Sequence, residues 1–172
     1  DDQFAQIITD STTLPNLDKN AVLITPGATS DCYLNLVDNK GELLHAINQM
    51  EEINKITPAY LATLEGDLMN SALIIADCNL PHDTLSWLIT RADRPPLYIY
   101  GVSPEKIIKL KDHLGRFEGL KCNTHEAIAL LDLPASATPE EILSAFKAYS
   151  RTKIILTLGA EGAMLSSADR QI

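Results

Sequence analysis

The chain lacks several features that would assign it at once to a broad class of proteins. No apolar run approaches the ~20 residues that a membrane-spanning helix needs, and the first residues, Asp1 to Phe4, show neither the basic nor the apolar segment of a signal peptide. Basic residues are also scarce, with 14 Lys and Arg against 23 Asp and Glu and a net charge of −9. This balance argues against binding to nucleic acid or to a membrane surface, but not against a small phosphorylated ligand.

Cysteine and histidine are sparse as well. Cys32, Cys78 and Cys122 lie far apart with no Cys-x-x-Cys pair, and the four histidines show no metal-ligand spacing. Both observations argue against a zinc site and against a disulfide framework. We expect the three cysteines to be small buried residues of a protein in the reducing cytoplasm.

What is present suffices for one folded domain, because 45% of the 172 residues are hydrophobic. Residues 21–48 are predicted to be β structure: an apolar run at 21–24 is followed by strands at 31–37 and 42–47, and residues 38–41 form the turn of a hairpin. After residue 57, predicted strands at 72–76, 97–100, 119–122 and 153–158 alternate with helices. The alternation predicts an α/β fold with a mostly parallel sheet and helices on both faces.

Polar residues follow these strands where ligands bind in such folds, beyond the carboxyl ends of the strands. They are Asp77 and Asn79, Ser103, Asn123 and Glu126, and Thr157 and Gly159. We expect them to meet at one edge of the sheet.

Asn123 and Glu126 have the spacing of a helix capping box, with Asn at the N-cap and Glu three residues later. A carboxylate at this position can also hold water-bound magnesium next to substrate phosphates. The two roles are compatible, and the spacing alone does not choose between them.

Two other segments also have alternative interpretations. Gly159 and Gly162 follow a strand, where they allow a nucleotide to approach the backbone, or they form an ordinary tight turn into a hairpin. The segment is neither a Walker A loop nor a Rossmann fingerprint. Ser103 with Lys106 either binds an anion at a helix start or caps the helix beside a solvated lysine. Asp77 and Asn79 either hold a ligand hydroxyl or form a turn.

Taken in order, these segments resemble the PfkB (ribokinase-like) family of sugar and nucleoside kinases. Residues 1–6 look like the family's Asp-Asp-x-x-Gly-x segment, with Ala5 in place of Gly, and residues 28–48 look like its β lid over the sugar. Residues 120–127 match its Asn-x-x-Glu motif, and Thr157 to Gly162 look like its nucleotide-binding strand and turn. Within the family, residues 46–48, residues 76–80 and the Val102, Ser103 and Lys106 set resemble pseudouridine kinases.

The resemblance implies ATP-dependent phosphorylation of a sugar or nucleoside hydroxyl, with ATP and Mg²⁺ as cofactors, and it makes a homodimer through the lid possible. It implies that Asn48 and Asn79 contact the substrate, and that Glu126 holds the magnesium indirectly, through water. The nucleotide and its phosphates would be bound by Asn123, Glu126, Lys106, Thr157, Gly159 and Gly162.

Besides Ala5, the chain departs from the family pattern in four places. Tyr100-Gly101 stands where Asp-Pro is common, and Gln49 stands where Asp is common. The family's Gly-Gly sugar-binding segment would lie before Asp1, and its Gly-Ala-Gly-Asp motif with the catalytic Asp would lie after Ile172. We therefore expect residues 1–172 to form one incomplete domain of a kinase of roughly 300 residues, with no catalytic residue and no activity alone. The alternative is a non-catalytic nucleoside- or sugar-binding or regulatory module derived from a kinase.

Overall fold

The computed structural model of the chain describes residues 2–11, 18–39, 41, 43–149, 151–167 and 170–171. Asp1, Lys40 and Glu42, which belong to two of the predicted segments, lie outside the described residues. The chain begins with helix α1 (Gln3–Ser11). The described part contains no helix that is both long and apolar enough to cross a membrane.

The predicted hairpin is confirmed. Strands β1 (Cys32–Val37) and β2 (Leu43–Gln49) pair antiparallel, in a register that runs from Cys32 opposite Gln49 to Val37 opposite Leu43. The β structure predicted for residues 21–24 is wrong, since the structure gives these described residues no strand. Turns flank them on both sides, closed by the hydrogen bonds from Val22 N–H to Lys19 O and from Ala28 N–H to Thr25 O, and no described strand pairs with the segment.

The larger sheet follows the predicted alternation of strands and helices. Its strand order is β3-β4-β5-β6-β7-β8; the first four strands pair in parallel and the last two join antiparallel. The strands are β3 (Ile74–Asp77), β4 (Leu97–Tyr100), β5 (Gly119–Asn123), β6 (Lys153–Thr157), β7 (Ala163–Ser167) and β8 (Arg170–Gln171). The helices around them are α2 (Pro58–Thr63), α3 (Glu65–Asn70), α4 (His82–Thr90), α5 (Pro104–Ile107), α6 (Thr124–Leu131) and α7 (Pro139–Phe146).

Local sequence signals explain where the helices begin. The side chains of Thr57 and Ser103 cap α2 and α5, each with Pro as the first helical residue. Capping boxes open α6 at Asn123 and α7 at Thr138. Helix α5 makes a single α-helical turn before it continues as a 3₁₀-helix, Ile108–His113. Further 3₁₀ turns are Glu52–Lys55, Lys147–Tyr149 and Gly159–Glu161.

One face of the sheet and the helices above it form the core. Alternate strand residues are buried on this face and pack with α4, α6 and α7: Ile74, Ala76, Leu97, Ile99, Leu120, Cys122, Ile154 and Leu156. On the opposite face Ile75 is 61% exposed. The structure confirms a mostly parallel sheet with helices and a separate hairpin, and it places the carboxyl ends of four parallel strands side by side.

Candidate active site

The predicted polar residues lie along one edge of the sheet, at the carboxyl ends of the parallel strands. Asp77 ends β3 and pairs in register with Tyr100, which ends β4. Asn123 ends β5 and pairs with Thr157, which ends β6. Four successive strands therefore finish at a common edge, which we call the rim, and the loops that follow them surround one region as the sequence predicts.

At the centre of the rim, Asn123 and Glu126 form a closed hydrogen-bond unit. The Asn123 side-chain oxygen accepts the N–H of Glu126 at 2.9 Å, and the Glu126 carboxylate accepts the N–H of Asn123 at 3.0 Å. The carboxylate also accepts a third bond from the Asn123 side-chain amide at 2.9 Å. Glu126 is only 4% exposed. Both of its oxygens are therefore occupied by Asn123, and the capping role is realised in full.

Gly101, one of the departures from the family pattern, lies directly against this unit. A Cβ on Gly101 would lie 2.6 Å from Glu126 Oε2 and 2.8 Å from Ile107 Cδ1, closer than real Cβ atoms approach other atoms. Its N–H donates to the carbonyl of Lys121 on β5 at 2.9 Å. The next residue, Val102, has φ +72°, which is unusual for a β-branched side chain. The chain thus bends tightly over the Glu126 carboxylate.

Lys106 joins three parts of the chain at the rim. Its Nζ donates to Asn79 Oδ1 at 2.5 Å and lies 3.8 Å from Met50 Sδ, just after β2. Its own N–H is held by the Ser103 hydroxyl at 3.3 Å, which confirms the cap at Ser103. Two of the three short strings that resemble pseudouridine kinases, residues 76–80 and the set with Lys106, therefore meet at this ammonium group, and the third, residues 46–48, ends two residues before Met50. Asn48 lies two residues before Met50 and is exposed on β2, opposite Tyr33.

The turn after β3 is held by two groups, one of which was not predicted. Asp77 accepts the N–H of Asn79 at 2.8 Å and its side-chain amide at 3.2 Å, so the predicted turn is present and fixes the Asn79 side chain. Lys109 donates to the carbonyls of Cys78 and Leu80, both at 2.9 Å. Partial burial lowers the pKa of Lys109, with a smaller contribution from the nearby charge of Lys106. Lys109 lies one turn after Glu105 and Lys106 on an amphipathic helix, and this position in the sequence does not indicate such a role.

The glycine turn after β6 closes a hairpin with β7 and also leaves its backbone exposed. Leu158 N–H donates to Gly162 O at 2.8 Å, and β7 returns antiparallel to β6. Gly159 and Gly162 have φ +61° and +95°, and among the described residues no heavy atom lies within 4 Å of a Cβ built on either. The hydroxyl of Thr157 donates to Cys122 O at 3.3 Å, which fastens the start of the turn to β5. The backbone here is accessible to a ligand.

The cysteines only partly follow expectation. Cys78 and Cys122 are fully buried beside the rim, and burial raises the pKa of each thiol to about 12, with the Glu126 charge as a further contribution. The prediction that Cys32 is buried is wrong: it is exposed, because it begins a hairpin strand whose residues are solvent-accessible. Among the described residues, no cluster of three or more His, Cys, Asp or Glu side chains offers a direct metal site.

Comparisons with known proteins bear on this arrangement. No model of a protein family matches the chain. The chain is 31% identical over 167 residues to the pseudouridine kinase of Escherichia coli K12, covering 96% of this chain and 53% of that protein. Among solved structures, the ribokinase of Giardia lamblia has a TM-score of 0.81 and 14% identity, over 99% of this chain and 56% of its own. The Arabidopsis thaliana ribokinase complexed with ribose and ATP has a TM-score of 0.62 and 17% identity, over 81% and 46%.

These comparisons confirm the resemblance to PfkB, ribokinase-like carbohydrate kinases. The fold of the chain is ribokinase-like, and its sequence similarity extends over nearly all of its residues. The chain spans about half the length of the curated relative that it matches.

Proposed function

Because the chain resembles PfkB, ribokinase-like kinases and has their fold, we propose that it is part of an enzyme that transfers the γ-phosphoryl group of ATP to a hydroxyl of a sugar or nucleoside. Pseudouridine is the substrate that the sequence favours, since the chain is 31% identical to a pseudouridine kinase. The observation that carries the proposal is the convergence at Lys106: its ammonium group joins Asn79 after β3 to Met50 after β2. The lid strand and the sheet thereby share one polar site.

The substrate side of the site lies at this junction. Asn79 is fixed by Asp77 on one side and by Lys106 on the other, so its amide is held in one orientation. A fixed amide can orient a hydroxyl or a base edge without losing rotamer entropy on binding. Asn48, on the exposed lid strand, would contact the substrate when the lid lies over it. Lys106 would place its positive charge between the substrate and the transferred phosphate.

The nucleotide side lies across Asn123, Thr157 and the glycine turn. The open space beside Gly159 and Gly162 fits a nucleotide that lies close to the backbone. Each oxygen of Glu126 already accepts a hydrogen bond from Asn123, and this arrangement fits the indirect, water-mediated role that the motif implies. When bound, ATP would supply the phosphoryl group and magnesium would neutralise its charge. The residues of this chain would bind and orient the two substrates and keep water out of the site. Most of the catalysis would then come from positioning.

The proposal is tested by phosphoryl transfer in the intact protein. ATP-dependent phosphorylation of pseudouridine and of ribose is followed by product detection in wild type, Asn79→Ala and Lys106→Gln. Losing a hydrogen bond that involves a charged group costs about 1.5–3 kcal/mol, so each variant should lose roughly 10- to 150-fold in kcat/KM. Lys147→Gln removes an exposed charge away from the rim and serves as the control.

The outcomes separate two classes of function. Transfer to either acceptor that falls in the two rim variants supports the kinase. Saturable binding of the nucleoside with no turnover supports the non-catalytic binding module instead. Absence of both binding and turnover contradicts both interpretations of the site.

Three narrower expectations remain predictions. The 172 residues alone should not phosphorylate either acceptor, because the family's catalytic Asp motif is not among them, and detectable transfer by this chain would contradict that. A homodimer would form through the lid, whose exposed Tyr33, Leu34 and Ile47 supply apolar surface, and light scattering measures it. A cytoplasmic location follows from the ATP-dependent reaction that we propose.

A further inference from the structure

A second polar site lies at the end of the parallel strands opposite the rim. A cavity of about 290 Å³ is formed by the loops that lead into β4, β5 and β6, at the amino-terminal ends of these strands. Its lining includes four arginines, Arg91, Arg94, Arg116 and Arg151, together with Glu118. With ~3.3 Å per strand residue, the four residues of β4 place this cavity roughly 13 Å or more from the rim. It is therefore separate from the proposed kinase site.

Arg94 forms the fixed floor of this cavity. Its guanidinium donates to Glu118 Oε2 at 2.7 Å, to Pro95 O at 2.9 Å and to Arg116 O at 2.6 Å. The side chain is only 6% exposed, and among the described residues its buried Nε has no hydrogen-bond partner. Glu118 also accepts the N–H of Leu97 at 2.7 Å, which ties the loop to β4. The positive charge of Arg94 is thus held in a set position inside the wall.

Arg91 forms a second ordered part of the wall. It pairs with Asp93 at 3.0 and 3.2 Å, pairs with Glu65, and lies over the Trp87 ring at 4.8 Å from the centroid. Hydrogen bonding to Asp93 raises the pKa of Arg91. These contacts hold the guanidinium in place before any ligand arrives, so little side-chain entropy remains to be lost.

Arg116 and Arg151 are the two arginines of the cavity that differ from Arg91 and Arg94 in having no acidic partner among the described residues. Both are exposed, and neither forms an ion pair with the described residues. The four arginines carry four positive charges, and their acidic neighbours Glu118, Glu65 and Asp93 carry three negative ones. A local excess of positive charge at one concave site contrasts with the net charge of −9 of the chain as a whole.

We propose that this arginine cavity binds a small phosphate-bearing anion, at a site separate from the proposed kinase site. Guanidinium groups present paired donors that match phosphate oxygens, and Arg116 and Arg151 have these donors available. The cavity has room for a compact ligand, near the lower end of ordinary ligand pockets of ~300–1,000 Å³. The bound anion bridges the loops before β5 and β6, and binding stabilises the folded chain by mass action.

The test is a residue-resolved titration of the chain with pyrophosphate, at ionic strength held constant with KCl. Amide chemical shifts of Ala92 and Gly115, which line the cavity, report this site, and those of Asn123 and Gly159 report the rim. Inorganic phosphate and citrate are titrated in parallel. Because the two regions are read separately, failure of the kinase proposal leaves this result interpretable, and the reverse also holds.

The variants are matched in charge. Arg116→Gln with Arg151→Gln removes the two free guanidinium groups, and Lys147→Gln with Lys153→Gln removes two exposed charges that do not line the cavity. We expect saturable shifts at Ala92 and Gly115 that weaken at least tenfold in the arginine pair and less than twofold in the lysine pair. The site is refuted if the shifts do not saturate, or if both pairs weaken binding equally. Citrate that binds as tightly as pyrophosphate overturns the phosphate class.

Discussion

Gly101→Ala should destabilise the chain because the added methyl group has no room. Its Cβ would lie 2.6 Å from Glu126 Oε2, 2.8 Å from Ile107 Cδ1 and 3.1 Å from Glu126 Cδ. Glu126 cannot retreat freely, since Asn123 holds both of its oxygens and it is 4% exposed. Overpacking of this kind costs about 1–3 kcal/mol. For a chain of this size that corresponds to a Tm lower by roughly 2–12 °C.

The assay is urea denaturation followed by circular dichroism, with Gly66→Ala as the matched control. Gly66 lies inside α3, and among the described residues no heavy atom lies within 4 Å of the position that its new methyl group would take. Alanine there should raise the free energy of unfolding by about 0.5–1 kcal/mol, because glycine is unfavourable inside a helix. The same chemical change should therefore have opposite signs at the two positions.

A double-mutant cycle identifies the cause of the loss. Glu126→Ala removes the carboxylate that the new methyl group meets, so Gly101→Ala should cost less in that background, with a coupling energy of about 0.5–3 kcal/mol. If Gly101→Ala is as stable as wild type, or if its cost is the same with and without the carboxylate, the packing of Gly101 against Glu126 is refuted.

Three further predictions concern two helix caps, the side-chain carboxylate of Asp2 and the cysteine thiols. Asn123→Ala and Thr138→Ala each remove a capping side chain and should each lower the free energy of unfolding, measured by urea denaturation, by about 0.5–2 kcal/mol. Only Asn123→Ala should also weaken ATP binding measured by calorimetry. Equal effects of the two variants on ATP binding would show that Asn123 acts only as a cap. Hydrogen bonds from Ala5 N–H, Ser30 N–H and the Ser30 hydroxyl lower the pKa of Asp2 to about 2. The stability that the Asp2 carboxylate contributes is therefore present above pH ~4 and is lost as the pH falls toward 2. An NMR titration of this carboxyl group with a midpoint near 4 would contradict the prediction. Native protein should show one thiol that reacts quickly with a disulfide reagent, the exposed Cys32, and three after denaturation, whereas three fast thiols in the native state would show that the core is open.

The alternation of strands and helices was predictable because it rests on local signals. Each parallel strand is a short apolar run, and four of the helices begin at an N-cap residue whose side-chain bond the structure confirms: Thr57, Ser103, Asn123 and Thr138. Such bonds join residues three apart, so their partners are visible in the sequence. The edge at which polar residues meet then follows from parallel pairing alone.

Contacts between distant residues were not predictable in the same way. Lys106 meets Asn79 and Met50 across 27 and 56 residues, and Lys109 reaches carbonyls about 30 residues away. Nothing in the local sequence of residues 104–113 selects these partners. The segment 21–24 shows the converse, since an apolar run has strand propensity but becomes a strand only if another strand pairs with it.

The two capping boxes of the chain help to separate structure from function at the rim. Both contain the same pair of reciprocal bonds, yet Thr138 and Glu141 are exposed, whereas Glu126 is 4% exposed. A helix start can therefore be capped in this protein without burying a carboxylate, and burial of a charge is costly unless every oxygen is paired. Asn123 meets that requirement with a third bond from its side-chain amide to Glu126 Oε1. The extra bond and the glycine at 101 hold the Glu126 carboxylate in place at the rim, an arrangement that capping alone does not require and that fits the phosphate- and magnesium-binding role that we propose for the rim.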